Sequence, residues 1–369
     1  MGREAIPLFK VFMAQSAGPA VTRVLHSGFV GEGGEVVEFE RELAERLRAS
    51  RAMTVNSATS ALHLACHMCV NGAAGAEIIT TPMTCIATNT SIFRNGARIV
   101  WADVDPLTGN VDPNEIATLI TDKTRAIMTV HWGGNPCDIG RIGKIARAAK
   151  IKVIEDAAHA FGATYRSQPI GQHSDFVAFS FQAIKPVTSV DGGCLICRDA
   201  SDDARGRLLR WYGIDRTVNA ADRCEIDVAE AGYKFHMNNV AAAIGRENLR
   251  HADWVLQRHR DNARFYNEAF AGESSVRVPG ENPNGRSAYW LYTIHVENRD
   301  ELMGKLLGAG IGASKVHARN DKHSAFGRFA RPLPNCEEFN RTHLCIPVGW
   351  WLSESDRQRV AEAVIKYAR

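Results

Sequence analysis

Apolar residues recur along this chain with two different periods. Near the amino terminus Val36, Phe39, Leu43 and Leu47 follow steps of three and four, the spacing that lines one face of a helix. A second helix is predicted over about Ser57 to Val70, opened by Asn56 or Ser57, both good N-cap types. Six short apolar runs follow: EIITT, RIVWADV, RAIMTVHW, IKVIED, DFVAFSF and GGCLICR. Helical patterns such as Ile139 to Lys150 separate them. Strands this uniformly apolar, with helices between them, predict a mainly parallel sheet covered by helices on both faces, an α/β fold.

The texture changes after Gly232. One long helical stretch is predicted over Asn238 to Phe270, then a loop rich in Gly, Pro and Asn from Gly280 to Gly285. The alternating run SAYWLYTIHVE predicts a strand, and helices are predicted over Arg299 to Leu307 and Ser353 to Tyr367. At 369 residues the chain exceeds the roughly 250 to 300 at which a single core stops growing. The expected division is a large domain over 1–250 and a smaller C-terminal α+β domain over 251–369.

Composition narrows the partners. The net charge of +3 is small and the basic residues are dispersed, which argues against nucleic acid. No run of about 18 apolar residues predicts a membrane span, and MGREAIPLFK lacks the apolar core of a signal peptide, so the expected location is cytoplasmic. Nine cysteines without regular spacing do not suggest a disulfide framework. The pairs Cys66/Cys69 and Cys194/Cys197 are not read as a zinc site: the first lies in a helical stretch, and in the second, on a strand, residues three apart point to opposite faces.

Ligands of open α/β sheets bind beyond the carboxyl ends of the strands, so polar residues that directly follow an apolar run are the first candidates. Asp156 ends KVIED, Ser180 ends FVAFS with Lys185 following it, and Ser57, Ala58 and Thr59 stand where AMTV passes into a helix. Each alone is most simply a cap or a solvated side chain. Together they supply what an electron-sink cofactor requires: a helix N-terminus with small hydroxyl residues for a phosphate, a carboxylate for a pyridinium, and an amine for an aldehyde.

Over almost its whole length the chain resembles the sugar aminotransferases of the DegT/DnrJ/EryC1/StrS family, which use pyridoxal 5'-phosphate on a fold type I scaffold. The resemblance rests on SGFVGEGGEVVEFERELAERL, NSATSALHLA, VIEDAAHAFGATY, FSFQAIKPVTSVDGGCL, LRWYGIDR and YKFHMNNVAAAIG. It implies that Lys185 carries the cofactor as a Schiff base and moves the proton, while Asp156 holds the ring nitrogen. It further implies that His159 approaches the phenolic oxygen, and that Ser57, Ala58, Thr59 and Ser180 bind the phosphate. Asn238 would reach the phosphate of a neighbouring subunit, which implies a homodimer with shared sites. Where the family carries an aromatic residue that stacks on the ring, this chain is read as having Met83. In the donor-rich segment SKVHARNDKHSAF, Lys315, His317, Arg319 and Asn320 are expected to face the substrate.

The implied reaction moves an amino group from an amino acid, glutamate above all, to a keto sugar, nucleotide-linked in most relatives. A free keto sugar acid is the alternative substrate. Lys185 argues against the dehydratases of the family, which carry His there. Of the rival classes, a cofactor-binding regulator would need a DNA-binding module, and no basic helix-turn-helix segment is read here. A dehydrogenase would need a glycine fingerprint after the first strand, which GFVGEGGE does not match.

Overall fold

The computed structural model describes residues 4–218, 221 and 225–369. The apolar runs form strands in chain order: Met53–Val55 (β1), Glu77–Thr80 (β2), Arg98–Trp101 (β3), Thr124–Val130 (β4) and Lys152–Asp156 (β5). A small hairpin of Thr164–Tyr165 (β6) and Gln168–Pro169 (β7) precedes Phe176–Ser180 (β8) and Gly193–Cys197 (β9). Arg166 and Ser167 turn that hairpin, both with positive φ, as a tight two-residue turn demands.

One sheet of seven strands runs in the order β1-β9-β8-β5-β4-β2-β3. β9 alone is reversed, pairing antiparallel with β8 and β1, while the neighbours from β8 to β3 are parallel. Every residue of β1, β8 and β9 is buried, which accounts for their unbroken apolar sequences. The register sets Val130 opposite Asp156 and Asp156 opposite Ala178. The chain therefore leaves β4, β5 and β8 along one edge of the sheet, where the candidate residues stand.

The later part of the chain has its own hydrophobic cluster, with Tyr266, Ile294, Leu344 and Val360 in it, and Ile6 from the N-terminal segment joins them. It surrounds an antiparallel pair, Tyr292–His295 (β11) and His343–Ile346 (β12), whereas Gly285–Arg286 (β10) pairs with β6. Among the described residues no helix is long and apolar enough to cross a membrane.

Two expectations change. The stretch from 238 to 270 is two helices, Asn239–Leu249 and Ala252–Ala269. At the end of the first, Asn248 accepts the Ala14 N–H and donates to the Thr188 carbonyl, which ties that end to the N-terminal segment and to the loop between β8 and β9 before the chain turns. The strand expected over SAYWLYTIHVE pairs in β11 only from Tyr292 to His295. Upstream, Ala288 and Leu291 donate their N–H groups to the Gly134 and Gly133 carbonyls, and Tyr289 has φ of 48°, so this part is a bent loop.

Candidate active site

A cavity of about 460 Å³ lies beyond the carboxyl ends of β5 and β8, and Ser57, Ala58, Thr59, Asp156, Ser180 and Lys185 all line it. One end is built by the Ala58–Val70 helix. Ser57 caps it by accepting the Ser60 N–H at 3.1 Å. As the first two helical residues, Ala58 and Thr59 have N–H groups with no intrahelical acceptor, so this end presents donors and the positive pole of the helix. β9 passes directly beneath: a Cβ on Gly193 would lie 2.5 Å from the Ala58 nitrogen, so only glycine fits.

Asp156, the last residue of β5, is a buried part of the lining. Its Oδ2 accepts from Thr88 Oγ1 at 2.7 Å and its Oδ1 from the Ala158 N–H at 3.0 Å. Thr88 in turn shares a hydrogen bond of 2.8 Å with Thr84. Burial raises the carboxyl above its usual pKa, opposed by these two hydrogen bonds and by the charge of Lys185. A cation brought against Asp156 would offset that burial cost.

Lys185 follows β8 in a tight turn in which its N–H donates to the Gln182 carbonyl. Its Nζ stands 3.3 Å over the centre of the Trp290 ring. The indole is itself fixed, with Nε1 donating to the Ile184 carbonyl at 3.1 Å and Phe9 stacked at 5.3 Å. Burial lowers the Lys185 pKa to about 7 despite the opposite charge of Asp156.

His159 stacks on Trp290 at 4.0 Å and touches His317, which also lines the cavity. Its Nδ1 is buried and has no hydrogen-bond partner among the described residues. A buried polar atom without a partner, on a residue of the cavity wall, is a candidate contact for a ligand.

The remaining candidates stand elsewhere. Met83 is fully buried and does not line the cavity; the Pro82 turn directs it into the core, and Cys85 lines the wall instead. Arg319 is buried in a bidentate pair with Asp321 and a further ion pair with Glu337. Asn320 donates to the Thr84 carbonyl and accepts from Asn89. Both are committed within the protein and do not face the cavity. Lys315 lies between two lining residues, Ser314 and Val316, but is not itself one. Asn238 is exposed and caps the Asn239–Leu249 helix through the Ala241 N–H, away from the cavity of its own chain.

Sequence reasoning missed Thr88, Cys85, Phe9 and Trp290. Thr88 and Cys85 belong to TPMTCIAT, where polar residues follow β2 at the same edge at which Asp156 closes β5, and that signal could have found them.

The residues present fit pyridoxal phosphate: free helix N–H groups and Ser180 for a phosphate, a buried carboxylate for a ring nitrogen, an amine in the same cavity, and His159 on its wall with an unpaired Nδ1. The comparisons agree. The model of the DegT/DnrJ/EryC1/StrS aminotransferase family matches residues 13–365. The crystal structure of the sugar aminotransferase CalS13 from Micromonospora echinospora is similar at 40% identity and a TM-score of 0.95, over 98% of this chain and 99% of that one. The spore coat polysaccharide biosynthesis protein SpsC of Bacillus subtilis is 32% identical over 93% of this chain and 92% of its own. A UDP-4-amino-4-deoxy-L-arabinose–oxoglutarate aminotransferase of Shewanella sediminis is 31% identical over 99% and 98%. The chain belongs to the DegT/DnrJ/EryC1/StrS aminotransferase family and is a pyridoxal-phosphate-dependent sugar aminotransferase.

Proposed function

We propose that this enzyme takes the amino group of glutamate and places it on a ketone carbon of a nucleotide-linked sugar, for amino-sugar biosynthesis. The observation that carries the reading is an amine, Lys185, held over the Trp290 ring in one cavity with a buried carboxylate, Asp156. Pyridoxal phosphate bound there supplies the electron sink and the transient amino carrier. Lys185 Nζ, poised between its charged and neutral forms, can take a proton from one carbon and return it to another. Asp156, oriented by Thr88, would keep the ring nitrogen protonated, while Ser57, Ala58, Thr59 and Ser180 hold the phosphate. Trp290 packs its ring face against the amine, and Phe9 backs the indole.

The choice of donor and sugar is supported by the Shewanella relative, whose name couples a UDP-linked amino sugar with oxoglutarate, the keto acid that glutamate leaves behind. Lys315, between two residues that line the cavity, and the positive balance of the chain suit a diphosphate. The reading includes a homodimer. Ile86 and Val190, each next to a residue that lines the cavity, are 47% and 50% exposed, and a second copy would cover them.

The test is the visible spectrum of the protein loaded with pyridoxal phosphate, before and after glutamate, followed by UDP- and TDP-linked keto sugars with mass detection of the amino product. Loss of the visible band on glutamate and its return on one keto sugar are expected. A band indifferent to glutamate would require another donor, and a protein that never acquires the band would overturn the reading.

A further inference from the structure

His159 and His317 come from distant parts of the chain and meet at the cavity wall. Their Nε2 atoms are 3.4 Å apart, with ring centres separated by 5.4 Å and planes inclined by 5°. That centre separation is close to the nitrogen–nitrogen distance plus the two ring radii. The facing nitrogens therefore lie between the two ring centres, with the ring planes nearly parallel. This is the arrangement of an N–H···N hydrogen bond, at the long end of its range.

Such a bond requires a proton on one of the facing nitrogens and a lone pair on the other. Burial, and next the charge of Lys185, favour the neutral form of both rings: His317 is lowered to about 4 and His159 well below its usual value. The rings are also held in place. Trp290 stacks on His159, and the Trp132 edge packs against both imidazoles, its own Nε1 fixed to Thr293 at 3.1 Å. Val316, directly before His317, has φ of 63°, a conformation a β-branched residue adopts only under constraint.

We infer that His317 is a positioning residue: its Nε2–H donates to His159 Nε2, which fixes His159 as the Nδ1–H tautomer, a donor for an anionic oxygen of the bound cofactor. The inference rests on the reading of His159 as the neighbour of the cofactor's phenolic oxygen. It gives the buried, unpaired Nδ1 a defined role. It also gives His317 a task other than binding sugar, because His317 acts through His159.

Nitrogen-15 NMR of the cofactor-free protein with labelled histidine tests it, the His159 signals being assigned by their loss in His159→Gln. The wild-type protein should show a protonated Nδ1 and an accepting Nε2 on His159. His317→Phe should move the proton to Nε2 or populate both tautomers, and should weaken pyridoxal phosphate binding by about 10-fold, the size of one hydrogen bond to a charged oxygen. His317→Gln, which keeps a donor, should restore both. A wild-type His159 with its proton on Nε2, or an unchanged tautomer in His317→Phe, overturns the inference. Should His317→Phe not fold, the wild-type tautomer and the glutamine variant still decide. Because no sugar, donor or cofactor enters the tautomer measurement, a wrong substrate assignment leaves its result standing.

Discussion

At pH 7 a lysine with a pKa of about 7 is about half free amine, whereas an unshifted lysine is so to roughly one part in three thousand. That shift favours Lys185 as a reactive amine and fixes the sign of its pH dependence. Only the unprotonated form attacks an aldehyde, so capture of pyridoxal phosphate should accelerate as pH rises and level off above about 7. Stopped-flow absorbance would show it, and a rate still climbing about tenfold per pH unit beyond that point would mean an unshifted lysine. Lys185→Ala should bind the cofactor without the covalent link and lose turnover; ordinary turnover would remove Lys185 from the mechanism. Asp156→Asn keeps the shape but removes the charge, and should fold normally while amine transfer, followed in the glutamate half-reaction, falls by ~100-fold or more. Asp156, Ser180 and Lys185 could be picked out from the sequence because each follows an apolar run at the ligand-binding edge of a sheet. Trp290 could not, because its role depends on a bend made by Gly133 and Gly134 accepting hydrogen bonds more than 150 residues away along the chain.

At the scale of elements, the phosphate end depends on how closely β9 approaches the start of the Ala58–Val70 helix. A methyl group on Gly193 would stand 2.5 Å from both the Ala58 nitrogen and the Ser57 carbonyl carbon, backbone atoms that cannot swing aside. Gly193→Ala should therefore push the helix N-terminus from its place, destabilise the fold by ~1–3 kcal/mol and reduce cofactor affinity by about 10-fold. Thermal melting and a pyridoxal phosphate titration measure the two effects. Unchanged affinity would show that the helix start does not hold the phosphate. The strands and this helix were legible because a two-sided buried strand and an amphipathic or buried helix each impose a pattern on every residue they contain. The break at Arg250–His251 was not, since no Gly or Pro marks it. Nor was the early end of β11, because Tyr289 bends the chain through a positive φ that its residue type does not announce.

For the whole molecule, the position of Asn238 poses the sharpest question. It is exposed, its side chain caps a helix, and it does not line the cavity of its own chain, so any action on the phosphate must come from a second copy. Asp at the same position caps a helix as well as Asn does, which keeps the fold, but it would set a carboxylate against a phosphate dianion. Asn238→Asp should thus lower cofactor affinity by ~10-fold or more without a change in melting temperature. In a shared-site homodimer, Lys185→Ala and Asn238→Asp damage opposite halves of one site. A mixed dimer would then hold one site carrying both lesions and one carrying neither. Random reassortment of the two variants should restore about one quarter of wild-type activity at cofactor levels too low to load the Asn238→Asp site. Sedimentation would establish the dimer independently, and a mixture no more active than its components would confine Asn238 to capping its own helix.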